Sequence, residues 1–256
     1  MKSTLIGIVV GFLLLGIAIL WSIDFQFGRF VWFFDLKALL IVLGGIVCAT
    51  FIAYPHNKVS GAFGSYVKAL SRNEISLDDY IQEIETLSAG AIEEDSRINP
   101  DEGDEIGEAF LRDGLRMVVN KHPVDEVQRL MTERIKNTYH NDMLEAKVIR
   151  NMAKIAPAFG VLGTLLGLVM MMRSLDSSHP ELMTLLGTGM GTALLSIFYG
   201  VLLSNFLFTP VAVKIENRAA QRVVLMEIIM EGVVLLINEA PTGIIRDKLQ
   251  AFLAFK

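Results

Sequence analysis

The chain has 256 residues, 52% of them hydrophobic and 20% charged, with a formal net charge of -5. A composition this apolar exceeds what a water-exposed surface normally carries, so it points to a membrane protein. Acids and bases are interleaved along the polar segments with no dominant basic stripe, so there is no nucleic-acid footprint, and the one cysteine, Cys48, has no intrachain partner for a disulfide.

Four apolar runs follow one another in chain order: Leu5 to Ile23, Leu36 to Tyr54, Ile155 to Met172 and Leu182 to Val213. At about 1.5 Å per helical residue each can cross a hydrocarbon core about 30 Å thick, the third only just. The first has no basic n-region beyond Lys2 and no A-x-A cleavage site, and reads as a retained helix rather than a signal peptide. Trp21, Phe30 and Trp32 suit an aromatic belt at the outer interface. Cys48, inside the second run, reads as a small packing residue. The four runs contain no acid and a single base, Lys37. If the bundle moves ions, the charge-neutralising carboxylate must therefore come from another polypeptide.

Between the second and third runs the chain is polar and helical. Tyr80, Ile81, Ile84 and Leu87, then Val124, Val127, Leu130, Met131 and Ile135, recur at helical spacing. Asn99-Pro100 with Gly103, and later His122-Pro123, predict breaks. Lys58, Lys68, Arg72, Lys147, Arg150 and Lys154 lie in this segment and Lys214, Arg218 and Arg222 in the tail, whereas the short outer connections offer Arg29 and Arg173. The positive-inside rule then puts both termini in the cytoplasm. Beyond Pro210 a helical run from Val211 to Asn238 is predicted, separated by Pro241 to Gly243 from a last helix, Ile244 to Phe255. His56, His122, His140 and His179 are scattered without ligand spacing, so no metal site or cofactor is assigned. There is no P-loop, dinucleotide fingerprint or G-x-S-x-G elbow, which argues against an enzyme.

The predicted fold class is an all-α integral membrane protein: four transmembrane helices, a helical cytoplasmic domain between spans two and three, and a cytoplasmic C-terminal helical tail. Residues 1–54 would hold spans one and two, 55–151 the cytoplasmic domain, 152–213 spans three and four, and 214–256 the C-terminal helices.

Spans three and four carry the specific pattern. Gly160, Gly163, Thr164 and Gly167 form a small-residue face on the third, with Gly163 and Gly167 a GxxxG pair suited to close helix packing in lipid. On the fourth, Thr188, Thr192, Ser196, Gly200 and Ser204 recur every four residues. Each step overshoots one turn by about 40°, so the stripe winds around its helix, and Thr192 and Ser196 near the middle are the candidates for an ion path. Two readings of these hydroxyls stay open: oxygens for a partly dehydrated cation, or hydrogen bonds to the carbonyl one turn back. Pro157 and Pro210 likewise read either as pivots between membrane and cytoplasm or as plain helix boundaries.

The stretch Ala156-Pro157-Ala158-Phe159-Gly160-Val161-Leu162-Gly163-Thr164-Leu165-Leu166-Gly167-Leu168, with Ala193-Leu194-Leu195-Ser196-Ile197-Phe198-Tyr199-Gly200 through Leu203-Ser204-Asn205 to Pro210, resembles the MotA/PomA family of flagellar motor stator proteins. Leu40 to Gly45, Phe110 with Gly114, and Met230-Glu231-Gly232 through Leu249 extend the likeness over nearly the whole chain. The third-span motif alone also suits ExbB and TolQ energisers, but two spans ahead of a long cytoplasmic segment favour the stator branch.

The resemblance implies a homo-oligomeric, pentameric ring in lipid at the bacterial inner membrane. The ring would surround a MotB/PomB-like single-span protein with a transmembrane aspartate and a peptidoglycan-binding domain, and ion flow would drive the rotor protein FliG. Thr164, Thr192 and Ser196 would line the ion pathway, Pro157 and Pro210 would couple it to the cytoplasm, and Gly160, Gly163, Gly167 and Gly200 would pack the helices. Thr164 stands where sodium-type members carry threonine and so favours Na+, while Ile197 replaces a second threonine of that type, leaving H+ open. Members that drive flagella show an arginine before a glycine and glutamate to engage the rotor; none occurs among residues 88–92, and Glu93, Glu94 and Arg97 are the candidates instead. The other function this pattern allows is an ExbB/TolQ-like or non-flagellar energiser that passes ion flow to a periplasmic partner.

Overall fold

A computed structural model of the chain describes residues 2–22, 24–71, 80–82, 84, 105–175 and 182–253. The described residues form helices joined by short turns and contain no strand. Helix α1 spans Lys2–Ser22, and a 3₁₀ segment, Phe27–Phe33, leads into α2, Leu36–Ala53. The start of α2 is set by Asp35, whose carboxylate accepts from the backbone N–H groups of Lys37 and Ala38. A cap of this kind satisfies donors that the helix itself cannot and stabilises it by about 1 kcal/mol. Ala38, Val42, Ile46 and Thr50 form the buried stripe of α2. Cys48, expected as a packing residue, is exposed: it stands two residues from Ile46, about 200° around the helix. Pro55 ends this helix and opens α3, His56–Ser71, its carbonyl accepting from Lys58 and Val59.

Helix α4 spans Glu105–Val119. It closes through Lys121 in the left-handed region, with His122 N–H bonded to Met117 O, just ahead of the predicted His122-Pro123 break. Helix α5 then runs without interruption from Val124 to Ser174. Sequence reading expected the third span to begin at Ile155. The observed helix passes through that point because the change there is from amphipathic to apolar, which alters what a helix faces and not whether it forms. Pro157 likewise lies inside α5 rather than ending it. Helix α6 is Leu182–Leu202, a π-helical turn occupies Leu203–Phe208, and α7, Thr209–Ile237, continues directly. Glu239, again left-handed, closes α7, and α8 covers Thr242–Leu253. The segment holding Asn99-Pro100 lies outside the described residues.

Two compact units divide the chain, Met1–Ser71 with Leu144–Ile215, and Arg72–Met143 with Glu216–Lys256. The first buries Ala38, Val42, Ile46, Ala146, Ile149, Met152, Ala156 and Phe208, and within it α2 packs along α6. The second is built on Tyr80, Ile84, Phe110, Met131, Leu225, Ile228, Ile229, Val233 and Leu249. Each such side chain contributes about 1.5–3 kcal/mol by leaving water. Arg222 pairs with Asp142 inside the second unit, both side chains mostly buried.

Candidate functional site

The first unit holds the hydroxyl-bearing crossing of α5 and α6. Its glycines set the distance between the two backbones. A Cβ at Gly167 would stand 2.7 Å from Gly189 O and 2.8 Å from Ala193 N, and one at Gly163 would stand 2.5 Å from the Ser196 hydroxyl. Gly160 and Gly200 face each other in the same way, so all four glycines singled out from the sequence lie in this contact. Close approach of this kind replaces the hydrophobic drive that lipid removes.

The close crossing brings hydroxyls to the backbone of the facing helix. The single Thr164 O–H is shared between Gly160 O at 3.1 Å and Ala193 O across the crossing at 3.0 Å. Ser196 is completely buried and donates to Thr192 O at 2.7 Å, the bond one turn back that its spacing allows. Thr192 does otherwise: its Oγ1 donates to Asp35 Oδ2 at 2.5 Å. Asp35 N–H donates to Tyr199 Oη at 2.9 Å, and that phenol donates to Phe33 O at 2.7 Å. The start of α2 is thereby tied to the middle of α6 through the Asp35 carboxylate and to its last turn through the Tyr199 phenol.

Asp35 is the residue that sequence reasoning missed. The four apolar runs are free of acid, but the second begins one position after this aspartate. An Asp immediately before an apolar run is a helix-start signal, and that signal was available. Its carboxylate accepts from two backbone N–H groups and one hydroxyl. Thr164, Thr192 and Ser196 all spend their proton on a protein acceptor, so what each presents elsewhere is oxygen lone pairs, the ligand type a hard cation takes. Among the described residues no group of three His, Cys, Asp or Glu side chains is placed to hold a metal ion.

Pro157 and Pro210 both belong to the first unit, Pro157 inside α5 and Pro210 at the start of α7 behind the π-turn. Glu93, Glu94 and Arg97 lie outside the described residues.

A sequence model of the MotA/TolQ/ExbB proton channel family matches residues 102–228. The uncharacterized protein YtxD of Bacillus subtilis (strain 168) is 30% identical over 202 residues, covering 79% of this chain and 72% of its own length. The chain belongs to the MotA/TolQ/ExbB family. The chemotaxis protein PomA of Vibrio alginolyticus is 29% identical over 251 residues, 98% of this chain and 94% of that one. Among solved structures, that of the flagellar MotAB stator complex from Bacillus subtilis has a chain matching 94% of this one and 92% of itself, with a TM-score of 0.74 and 23% identity, and so shares the fold. The family match contains Thr164, Thr192, Ser196 and both prolines, whereas Asp35 falls outside it.

Proposed function

We propose that the chain is the ion-conducting subunit of a bacterial flagellar motor stator, converting ion flow beside the α5–α6 crossing into torque. The observation that carries this reading is the contact of Thr192 with Asp35, next to a crossing where the hydroxyls of Thr164 and Ser196 also donate to protein oxygens. The similarity to PomA along nearly the full length supports the same role.

In this reading the chain crosses the inner membrane four times with both termini in the cytoplasm. Residues Val31–Ala53 and Val124–Arg173 include stretches long and apolar enough to cross a bilayer. The exposed side chains of Leu162, Leu165, Leu166, Val169, Met170 and Met172 on α5 fit a lipid or protein surface and not water. The remaining spans are α1 and the α6 segment with its π-turn. Subunits form a ring, pentameric as in the family pattern, around a MotB/PomB-like chain whose membrane aspartate binds the travelling H+ or Na+. Pro157 and Pro210 carry the resulting movement toward the cytoplasmic helices, where Glu93, Glu94 and Arg97 meet the rotor protein FliG.

The test is swimming. A strain lacking its own stator genes receives this chain together with a MotB/PomB-like single-span protein, and is watched with and without sodium. Restored swimming is expected; cells that stay non-motile while both proteins sit in the membrane contradict the proposal. Export or uptake phenotypes in such cells, with no swimming, would point to the energiser branch instead.

A further inference from the structure

Pro157 creates a defect that the structure repairs from another helix. In a regular α-helix the N–H of residue 157 would donate to the carbonyl of Ala153, but proline has no N–H. That carbonyl is buried, with Ala153 only 5% exposed, and an unsatisfied carbonyl is costly in a site without water. Ser204 supplies the missing donor, its Oγ lying 2.7 Å from Ala153 O. The two other hydroxyls of the same stripe that keep to their own helix do something different: Thr188 donates to Leu185 O and Ser196 to Thr192 O.

The location of Ser204 gives this bond a wider meaning. It lies within the π-turn Leu203–Phe208, where its own carbonyl accepts from Thr209 N–H, five residues on. Pro210 follows directly. One turn earlier Gly200 packs on the same stretch of α5, and a Cβ there would stand 2.7 Å from Ala156 O. The proline turn of α5 is thus gripped at one carbonyl by contact and at another by hydrogen bond. π-turns are single-turn irregularities that often sit where a helix must change shape.

We propose that Ser204 is a positioning residue whose hydroxyl stands in for the N–H that Pro157 lacks, fastening the proline turn of α5 to the π-turn ahead of Pro210 so that the two move together. The movement rests on the stator reading above; the hydrogen-bond substitution does not. Ser204 touches no ion in this account and acts only through the Ala153 carbonyl.

A double-mutant cycle on the purified full-length chain in detergent separates the two. Ser204→Ala should lower the thermal midpoint by about 2–4 °C, the effect of losing one buried hydrogen bond in a chain of this size. In a Pro157→Ala background the same change should cost much less, because the alanine introduced there donates its own N–H to the Ala153 carbonyl. A merely space-filling Ser204 would give equal falls in both backgrounds, and that result overturns the proposal. Should Ser204→Ala alone yield no folded protein, recovery of folding by Pro157→Ala supports the substitution and failure to recover overturns it. In cells that swim on the natural chain, Ser204→Ala should reduce speed by the same fraction at every sodium concentration with membrane levels unchanged. Unchanged speed would overturn the coupled movement, and a shifted sodium dependence would place Ser204 in the ion path, contrary to the proposal. If the natural chain supports no swimming, the stator reading fails while the thermal cycle still decides the role of Ser204.

Discussion

The α5–α6 crossing and the core of the second unit are both helix packings, yet they are built from opposite materials. At the crossing the contacts are glycine against backbone and hydroxyl against carbonyl, with Gly163, Gly167 and Ser196 at the centre. In the second unit the contacts are Ile, Leu, Val, Met and Phe side chains filling space between helices. Removal from water accounts for the second kind in the proposed arrangement, where that unit is cytoplasmic, since burying such side chains drives packing there. Lipid explains the first, because aliphatic side chains gain nothing there by leaving lipid for one another. The crossing therefore tolerates polar oxygens at its heart, and a helical interface of this kind can hold an ion path that an aliphatic core cannot.

The largest expected effect comes from blocking the crossing. Gly167→Val would push side-chain atoms into Gly189 O and Ala193 N, which are backbone and cannot give way. We expect it to abolish recovery of monodisperse protein after detergent extraction. Gly187→Ala, where an added Cβ meets nothing within 4 Å, should leave recovery unchanged; similar losses in both would refute the close-contact account. Next in size is a cavity in the aliphatic core. Ile229→Ala, at a fully buried site, should cost about 2–5 kcal/mol in chemical unfolding followed by a probe in that unit, against about 0.5 kcal/mol or less for half-exposed Ile244→Ala. Smallest is Arg134→Ala, which removes a partly exposed pair with Asp113 and should change stability by about 0–1 kcal/mol, least of all at high salt.

The contrast between the two regions also explains what was legible in the sequence. Apolar runs and small-residue spacing exposed the crossing, because Gly160, Gly163 and Gly167 at helical steps have few other uses in an apolar segment. The helical periodicity marked Tyr80, Ile81, Ile84, Val127, Met131 and Ile135, which the second core buries, but also Leu130, which is exposed, and Val124, which is only partly buried; Leu87 lies outside the described residues. Hidden from the sequence were contacts between residues far apart in the chain. Asp35 and Thr192 are 157 positions apart, and Ala153 and Ser204 are 51 apart. Periodicity reports which face of a helix is special but not which residue meets it. The continuity of α5 through Pro157 was hidden for the same reason, since the donor that compensates for the proline lies on another helix. The acid-free character of the apolar runs holds residue by residue; Asp35, one position before the second run, brings a carboxylate to Thr192 in the fourth run all the same.

The central claim is that the Thr192 oxygen beside Asp35 belongs to the ion path. Thr192→Val keeps the side-chain shape and removes the hydroxyl, leaving Asp35 without that donor. The decisive measurement is swimming speed against sodium concentration, at two external pH values, for stator-deletion cells carrying the natural chain or Thr192→Val, with membrane levels of the two matched. The account predicts a several-fold slower mutant whose dependence on the driving ion is displaced from that of the natural chain. Superimposable curves at equal protein levels would contradict it.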